Sequence, residues 1–321
     1  MDNLALFRAL LAASTKADVG IALDAFEVAN GERAAWVPIG GRENNRGPIE
    51  VSADPGRSLV ERVTNAIDAI LEAECERRSG IPDCRTPRQA ATAWLGIPEH
   101  GLYEMTPAER QRLAHRVTVR LSHGDGREAR VVDITDLGIG LTPEEMPQTI
   151  LSLNESNKIR KYYLAGTYGQ GGSSTFAISA YTLIASRKAG ERRVGFTIVR
   201  FLDLPPEEYK TGHYVYLVLD KLIPSVEMAE SEFPIGTLVR HFGYDLSSYP
   251  SPVGPNSVYG LLNQVLFDPV ISIWLDSQVH GYRRVIKGSR NALNGAVDDG
   301  DESRPRPSAG SQRPNVLRVP W

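Results

Sequence analysis

The sequence predicts an α+β fold: a two-layer sandwich of a mixed, mainly antiparallel sheet with helices on one face. Helical periodicity comes early, over residues 1–30 and again from Ser58 to about Arg78. Runs rich in β-branched and aromatic residues come late: Tyr181–Ser186, Arg193–Phe201, Tyr214–Leu219 and Thr237–His241. Helices first and strands late fit separate layers better than alternating βαβ units.

Each element has its own signal. Leu4, Phe7, Leu10 and Leu11 recur at helical spacing, and Gly31 ends the amino-terminal helical stretch. Residues 38–57, rich in Gly, Asn, Arg and Pro, read as an extended arm. Val131–Thr135 is a short strand running into Asp136. A helix is expected over Val258–Leu266 and a strand around Val270–Leu275. The stretch 295–314 is rich in Gly, Pro, Ser and charge, and reads as a disordered linker.

Bulk properties narrow the class. The chain has 321 residues, 41% of them hydrophobic, enough for an ordinary buried core. A net charge of −3 disfavours a strongly basic nucleic-acid binder. The two cysteines, Cys75 and Cys84, make neither a disulfide framework nor a metal site and read as free thiols. The amino terminus lacks a basic lead-in before a continuous apolar run, so it is a poor signal peptide. No stretch approaches the roughly 20 apolar residues of a membrane span. A cytoplasmic protein without membrane contact is expected.

Four segments carry chemistry. The first is Glu61-Arg62-Val63-Thr64-Asn65-Ala66-Ile67-Asp68-Ala69. On a helix, Glu61, Asn65 and Asp68 fall in one narrow wedge, with Leu59, Val63, Ile67 and Ile70 opposite. A plain amphipathic surface helix has the same periodicity. Asn and Asp are poor mid-helix residues, however, which gives the polar wedge a meaning beyond solvation. A neutral Asn65 oxygen can hold one corner of an octahedral Mg²⁺, and Glu61 can orient and deprotonate a water.

The second segment, Asp136-Leu137-Gly138-Ile139-Gly140, follows a strand. Its glycines let the backbone turn and a flat ring approach, and a fixed carboxylate accepts from an exocyclic amine such as that of adenine. The third, Gly166-Thr167-Tyr168-Gly169-Gln170-Gly171-Gly172, precedes a short helix expected at about 175–180. Glycine-rich backbone before a helix amino terminus can cradle phosphate, although a flexible hinge has the same composition. Neither a Walker loop nor a dinucleotide fingerprint is present. Between these segments, 141–165 reads as a lid, with Lys158, Arg160 and Lys161 as candidate phosphate contacts. The fourth segment is Gly236-Thr237-Leu238-Val239.

In this order, the four segments resemble the GHKL superfamily, whose ATP-binding domain is the Bergerat fold. The resemblance covers roughly 58–242, and Glu61 to Ala69 matches the E-x-x-x-N-A-x-D-A helix of that family at every fixed position. It implies Glu61 as general base, Asn65 as magnesium ligand and Asp68 as a supporting carboxylate. Asp136 would pair with the adenine amine, Gly138 and Gly140 would shape the pocket, and Thr237 would brace Asp136. Gly166, Gly169, Gln170, Gly171 and Gly172 would form the lid and phosphate loop. Leu137 departs from the Asn or Thr found in many members.

Residues 1–57 contain no His, unlike the substrate hairpin of the kinase branch. The hydrolysing branch, which includes heat-shock chaperones, MutL and microrchidia ATPases, is the better match. It implies ATP and Mg²⁺ as ligands, an ATP-dependent homodimer, and a protein client or nucleic acid as partner, with an anti-phage defence role also open. A non-hydrolysing clamp that gates an effector is the alternative.

The expected organisation is a helical segment and arm (1–57) and the ATP-binding domain (58–250). That domain carries an insertion at about 73–115 and a lid at about 141–172. A carboxy-terminal extension (251–294), the start of a transducer-like region, and a tail (295–321) follow. Lys287 is the one candidate for a γ-phosphate lysine, although an exposed strand edge is the favoured place for it.

Overall fold

The computed structural model describes residues 1–51, 53–78, 84–153, 161–165, 171–203 and 212–294. Helices α1 (Asn3–Ala12) and α2 (Lys16–Asn30) form an amino-terminal hairpin, followed by strand β1 (Ala34–Pro38) and a short helix α3 (Arg46–Glu50). Next come α4 (Pro55–Arg77), α5 (Pro87–Leu95) and α6 (Pro107–Ala114), then β2 (Val117–Gly124) and β3 (Gly126–Asp136). A four-residue α7 (Thr175–Ile178) precedes β4 (Tyr181–Arg187), β5 (Arg193–Leu202), β6 (His213–Leu219), β7 (Ser225–Glu227) and β8 (Gly236–Asp245). The order closes with α8 (Val258–Val265), β9 (Ile273–Ser277), β10 (Tyr282–Ile286) and α9 (Ser289–Leu293).

Among the described residues, ten strands make one sheet in the order β1-β6-β5-β4-β8-β3-β2-β9-β10, with β7 paired to β5. Every pairing is antiparallel except β2 with β9. The expected α+β sandwich on a mixed, mainly antiparallel sheet is the observed architecture.

Helix starts follow side-chain capping. Asp54 accepts the Arg57 N–H at 2.8 Å, with Pro55 in the first helical position of α4. Thr15 and Asp18 form a reciprocal capping box at α2. Leu59, Val63, Ile67, Ile70 and Leu71 of α4 then enter a core with β2, β3, β9, α5 and α8. Along β5 the alternation of a strand separates two further cores. Val194, Phe196 and Ile198 meet Leu6, Phe7, Leu10 and Phe26 of the amino-terminal hairpin, while Val199 joins Ile39, Ile49, Met146 and Phe176. The hairpin therefore covers the opposite face of the sheet from α4, so helices lie on both faces of the sheet and not on one as expected.

Several expectations are corrected. The arm read over 38–57 carries a helical turn, α3, fixed by the buried Asn45. That side chain donates to the carbonyls of Ile39 (3.1 Å) and Tyr214 (2.8 Å) and accepts from the Tyr214 N–H (2.8 Å). Other expectations stand: the stretch 73–115 carries two small helices, α5 and α6, packed on the α4 core, and the helix and strand expected after residue 250 are present as α8 and β9, with β10 beside β9 in the sheet. Lys287, expected on an exposed edge, is only 3% exposed. Its N–H donates to Asn263 Oδ1 at 3.2 Å, which draws the residue inward at the end of β10. The tail 295–321 lies outside the described residues.

Candidate functional site

Strand pairing assembles one wall of the site. Asp136, the last residue of β3, stands opposite Thr237 near the start of β8, and Thr237 stands opposite Ser186 of β4. Helix α4 crosses this sheet end and adds Arg62, Asn65, Ala66, Ala69 and Glu72. Between them is a cavity of about 520 Å³, within the usual range for a small-molecule site. Apolar walls come from Ile134, Ile139, Leu141, Ile150 and Val239.

Asp136 is 7% exposed, and Oδ1 accepts the Gly138 N–H at 2.9 Å. Burial pushes its carboxyl up to about 7, and the backbone N–H groups of Gly138 and Thr237 pull it back. Ser186 ties this corner together: Oγ contacts Thr237 Oγ1 at 2.9 Å and the Gly236 carbonyl at 3.1 Å, and accepts the Leu141 N–H at 2.8 Å. The loop after Asp136 is held against α4 by the Ile139 N–H donating to the Ala69 carbonyl (3.0 Å). Gly140 has φ +65°, and a Cβ there would lie 1.8 Å from the Arg187 carbonyl oxygen. Only glycine fits.

The predicted wedge of α4 splits three ways. Asn65 is half-buried and borders the cavity. Glu61, one turn earlier, is exposed and does not line the cavity. Its pKa is nonetheless raised, because nearby protein desolvates the carboxyl more than the Arg62 charge lowers it. Asp68 is fully buried and accepts the Ala165 N–H at 2.8 Å, so it holds the 161–165 segment and does not itself line the cavity. Gly171 and Gly172 form a 3₁₀ turn through Ser174 that leads into α7, and Gly172 sits against Asn65 and Arg62. Lys158, Arg160, Gly166, Gly169 and Gln170 lie outside the described residues.

Motif reasoning missed Arg62, Ser186 and Lys188. Arg62 and Lys188 line the cavity, as does the candidate Lys161. Lys161 Nζ is ion-paired with Glu72, and Lys188 Nζ lies 2.5 Å from Glu145 Oε1. Burial tends to raise the Glu145 carboxyl, but the Lys188 hydrogen bond holds it below its ordinary value. Spacing carried no signal for Arg62, which at 100° per residue falls at the border between the polar wedge and the apolar stripe of α4.

Among the described residues, no group of three His, Cys, Asp or Glu side chains could hold a metal ion. Asn65 borders the cavity and offers a neutral amide oxygen, a type of ligand that a cation carried in by an anion could use. Cys75 and Cys84 are buried thiols that do not bridge to each other. Among the described residues no helix is long and apolar enough to cross a membrane.

Fold and site together define an α+β protein with a ligand-sized cavity at one end of its sheet, floored by a buried carboxylate. Neither the protein-family models nor the curated proteins compared with the chain give a match.

Proposed function

We propose that the chain is an ATP-binding protein of the GHKL type that hydrolyses ATP with Mg²⁺ and uses nucleotide to switch conformation. The observation that carries this reading is Asp136, a buried acceptor at the floor of a 520 Å³ cavity, braced by Thr237 and Ser186. A carboxylate so placed selects a ring bearing an exocyclic amine over one bearing a carbonyl. Bound Mg²⁺ would neutralise phosphate charge and polarise the γ-phosphoryl group, with Asn65 holding it. Glu61, whose ionised form is penalised by desolvation, would take the proton of the attacking water. ATP-dependent dimerisation and a protein or nucleic-acid partner belong to the same proposal.

A second reading has its own support. Glu61 stands outside the cavity lining, which suits a clamp that binds ATP without hydrolysing it. Phosphate release and ATP affinity measured on wild type and Glu61→Ala separate the two. Hydrolysis predicts turnover lost at least ~100-fold in the variant with affinity preserved. A clamp predicts tight binding and no turnover in either protein, and absence of ATP binding overturns both.

A further inference from the structure

Among the described residues, Arg62, Lys161 and Lys188 are the Lys and Arg side chains that border the cavity. Two already have counter-charges, Lys161 in Glu72 and Lys188 in Glu145. Arg62 differs. It is 4% exposed, and its Nη2 donates to two neutral oxygens, the Gly172 carbonyl and Thr175 Oγ1 (2.9 Å). Its Nε has no hydrogen-bond partner among the described residues. Among the described residues no carboxylate forms an ion pair with it.

The described neighbours do not supply an anion. The guanidinium stands 5.5 Å from the Phe176 ring centroid. His241 is fully buried, and burial together with the Arg62 charge keeps its imidazole neutral. Tyr244 is a buried phenol whose pKa burial raises further. The exposed Glu61 acts on Arg62 through space only. Burial lowers Arg62 to about 10, so at neutral pH it keeps its charge. A buried cation without a counter-ion is costly unless a ligand completes it.

The position of the charge also matters. A Cβ added at Gly172 would come 2.9 Å from Asn65 Nδ2 and 3.2 Å from Arg62 Nη1, so these three residues meet at one point of the cavity wall. We infer that Arg62 is a phosphate-recognition residue: its buried guanidinium, without an ion-pair partner among the described residues, is the counter-charge for the phosphate chain of the ligand, and its bond to Gly172 sets the glycine turn around that chain. This rests on the nucleotide reading above for the identity of the rest of the ligand. A guanidinium on phosphate makes charge-assisted hydrogen bonds that an ammonium only partly replaces.

The test compares adenosine, AMP, ADP, ATP and inorganic tripolyphosphate binding to wild type, Arg62→Met and Arg62→Lys. The expected result is a loss of about 10- to 100-fold in ATP and tripolyphosphate affinity for Arg62→Met, with adenosine affinity within about twofold of wild type. Arg62→Lys should recover part of the loss. Should Arg62→Met fail to fold, Arg62→Lys carries the same comparison against adenosine. Equal losses for adenosine and ATP, or no loss for either, would overturn the inference. Tripolyphosphate binding that depends on Arg62, without adenosine binding to any protein, would uphold it while removing the nucleotide reading.

Discussion

At the scale of single residues, Asp136 sets two pH dependences of opposite sign. Its carboxyl sits at about 7 in the folded protein, against an ordinary value of 3.8. Between those values the folded chain holds a proton that the unfolded chain has lost. Stability from this group is therefore complete below pH 4 and is lost as pH rises to 7, by a few kcal/mol at about 1.4 kcal/mol per unit. On the proposed nucleotide reading the ionised carboxylate is the stronger acceptor for an adenine amine, so ATP affinity should rise through the same window. Urea melts and ATP titrations at pH 5.5 and 8, on wild type and Asp136→Asn, check both. The asparagine variant should flatten the two profiles together, and a wild-type affinity independent of pH would exclude Asp136 as the base acceptor. Asp136 was legible because its glycines mark a turn after an apolar strand. Ser186, which ties Thr237 to Leu141, was not, because a serine inside a strand carries no motif and its partners lie about 50 positions away.

At the scale of elements, α4 does three jobs with one periodicity. Its apolar stripe was legible from spacing alone, because core and solvent faces differ in composition. Spacing could not divide the polar face, since what lies over each turn is decided by distant chain. Asp68 faces the 161–165 segment, Asn65 the cavity, and Glu61 the outside. Buried charges were likewise hidden: Glu74 bonds Arg78 at 2.7 Å and pairs with Arg116 at 2.9 Å, and Arg116 lies far along the chain. Burial alone would raise Glu74, yet these arginines hold it below its ordinary value. The division of α4 predicts that Asp68→Ala frees the Ala165 N–H. Its exchange with solvent should quicken by about tenfold or more, with about 1–3 kcal/mol lost in overall stability. Proton exchange followed residue by residue reads this directly. An unchanged Ala165 rate would mean that Asp68 does not hold the 161–165 segment.

At the scale of the molecule, the sheet is closed by both ends of the described chain. Strand β1 pairs with β6 at one edge, and β9 runs parallel to β2 near the other, followed by β10. A sequence reading bounded at 58–250 misses both edges, because a parallel pairing between residues 118–121 and 274–277 leaves no local signature. Three cores line this sheet, and β3 contributes to two of them, through Val132 and Ile134 on one face and Val131 on the other. A strand shared in this way couples the loss of one core to the loss of the other. Trp36 on β1 and Trp274 on β9 are natural reporters at the two edges. With the other tryptophans, Trp94 and Trp321, changed to Phe, and either Trp36 or Trp274 changed as well, each edge can be followed alone by fluorescence in urea. A single cooperative unit predicts the same midpoint at both edges and the same slope. The Trp274 edge melting first would mean instead that β9, β10 and α8 form a separable lobe, with the cavity end of the sheet folded without them.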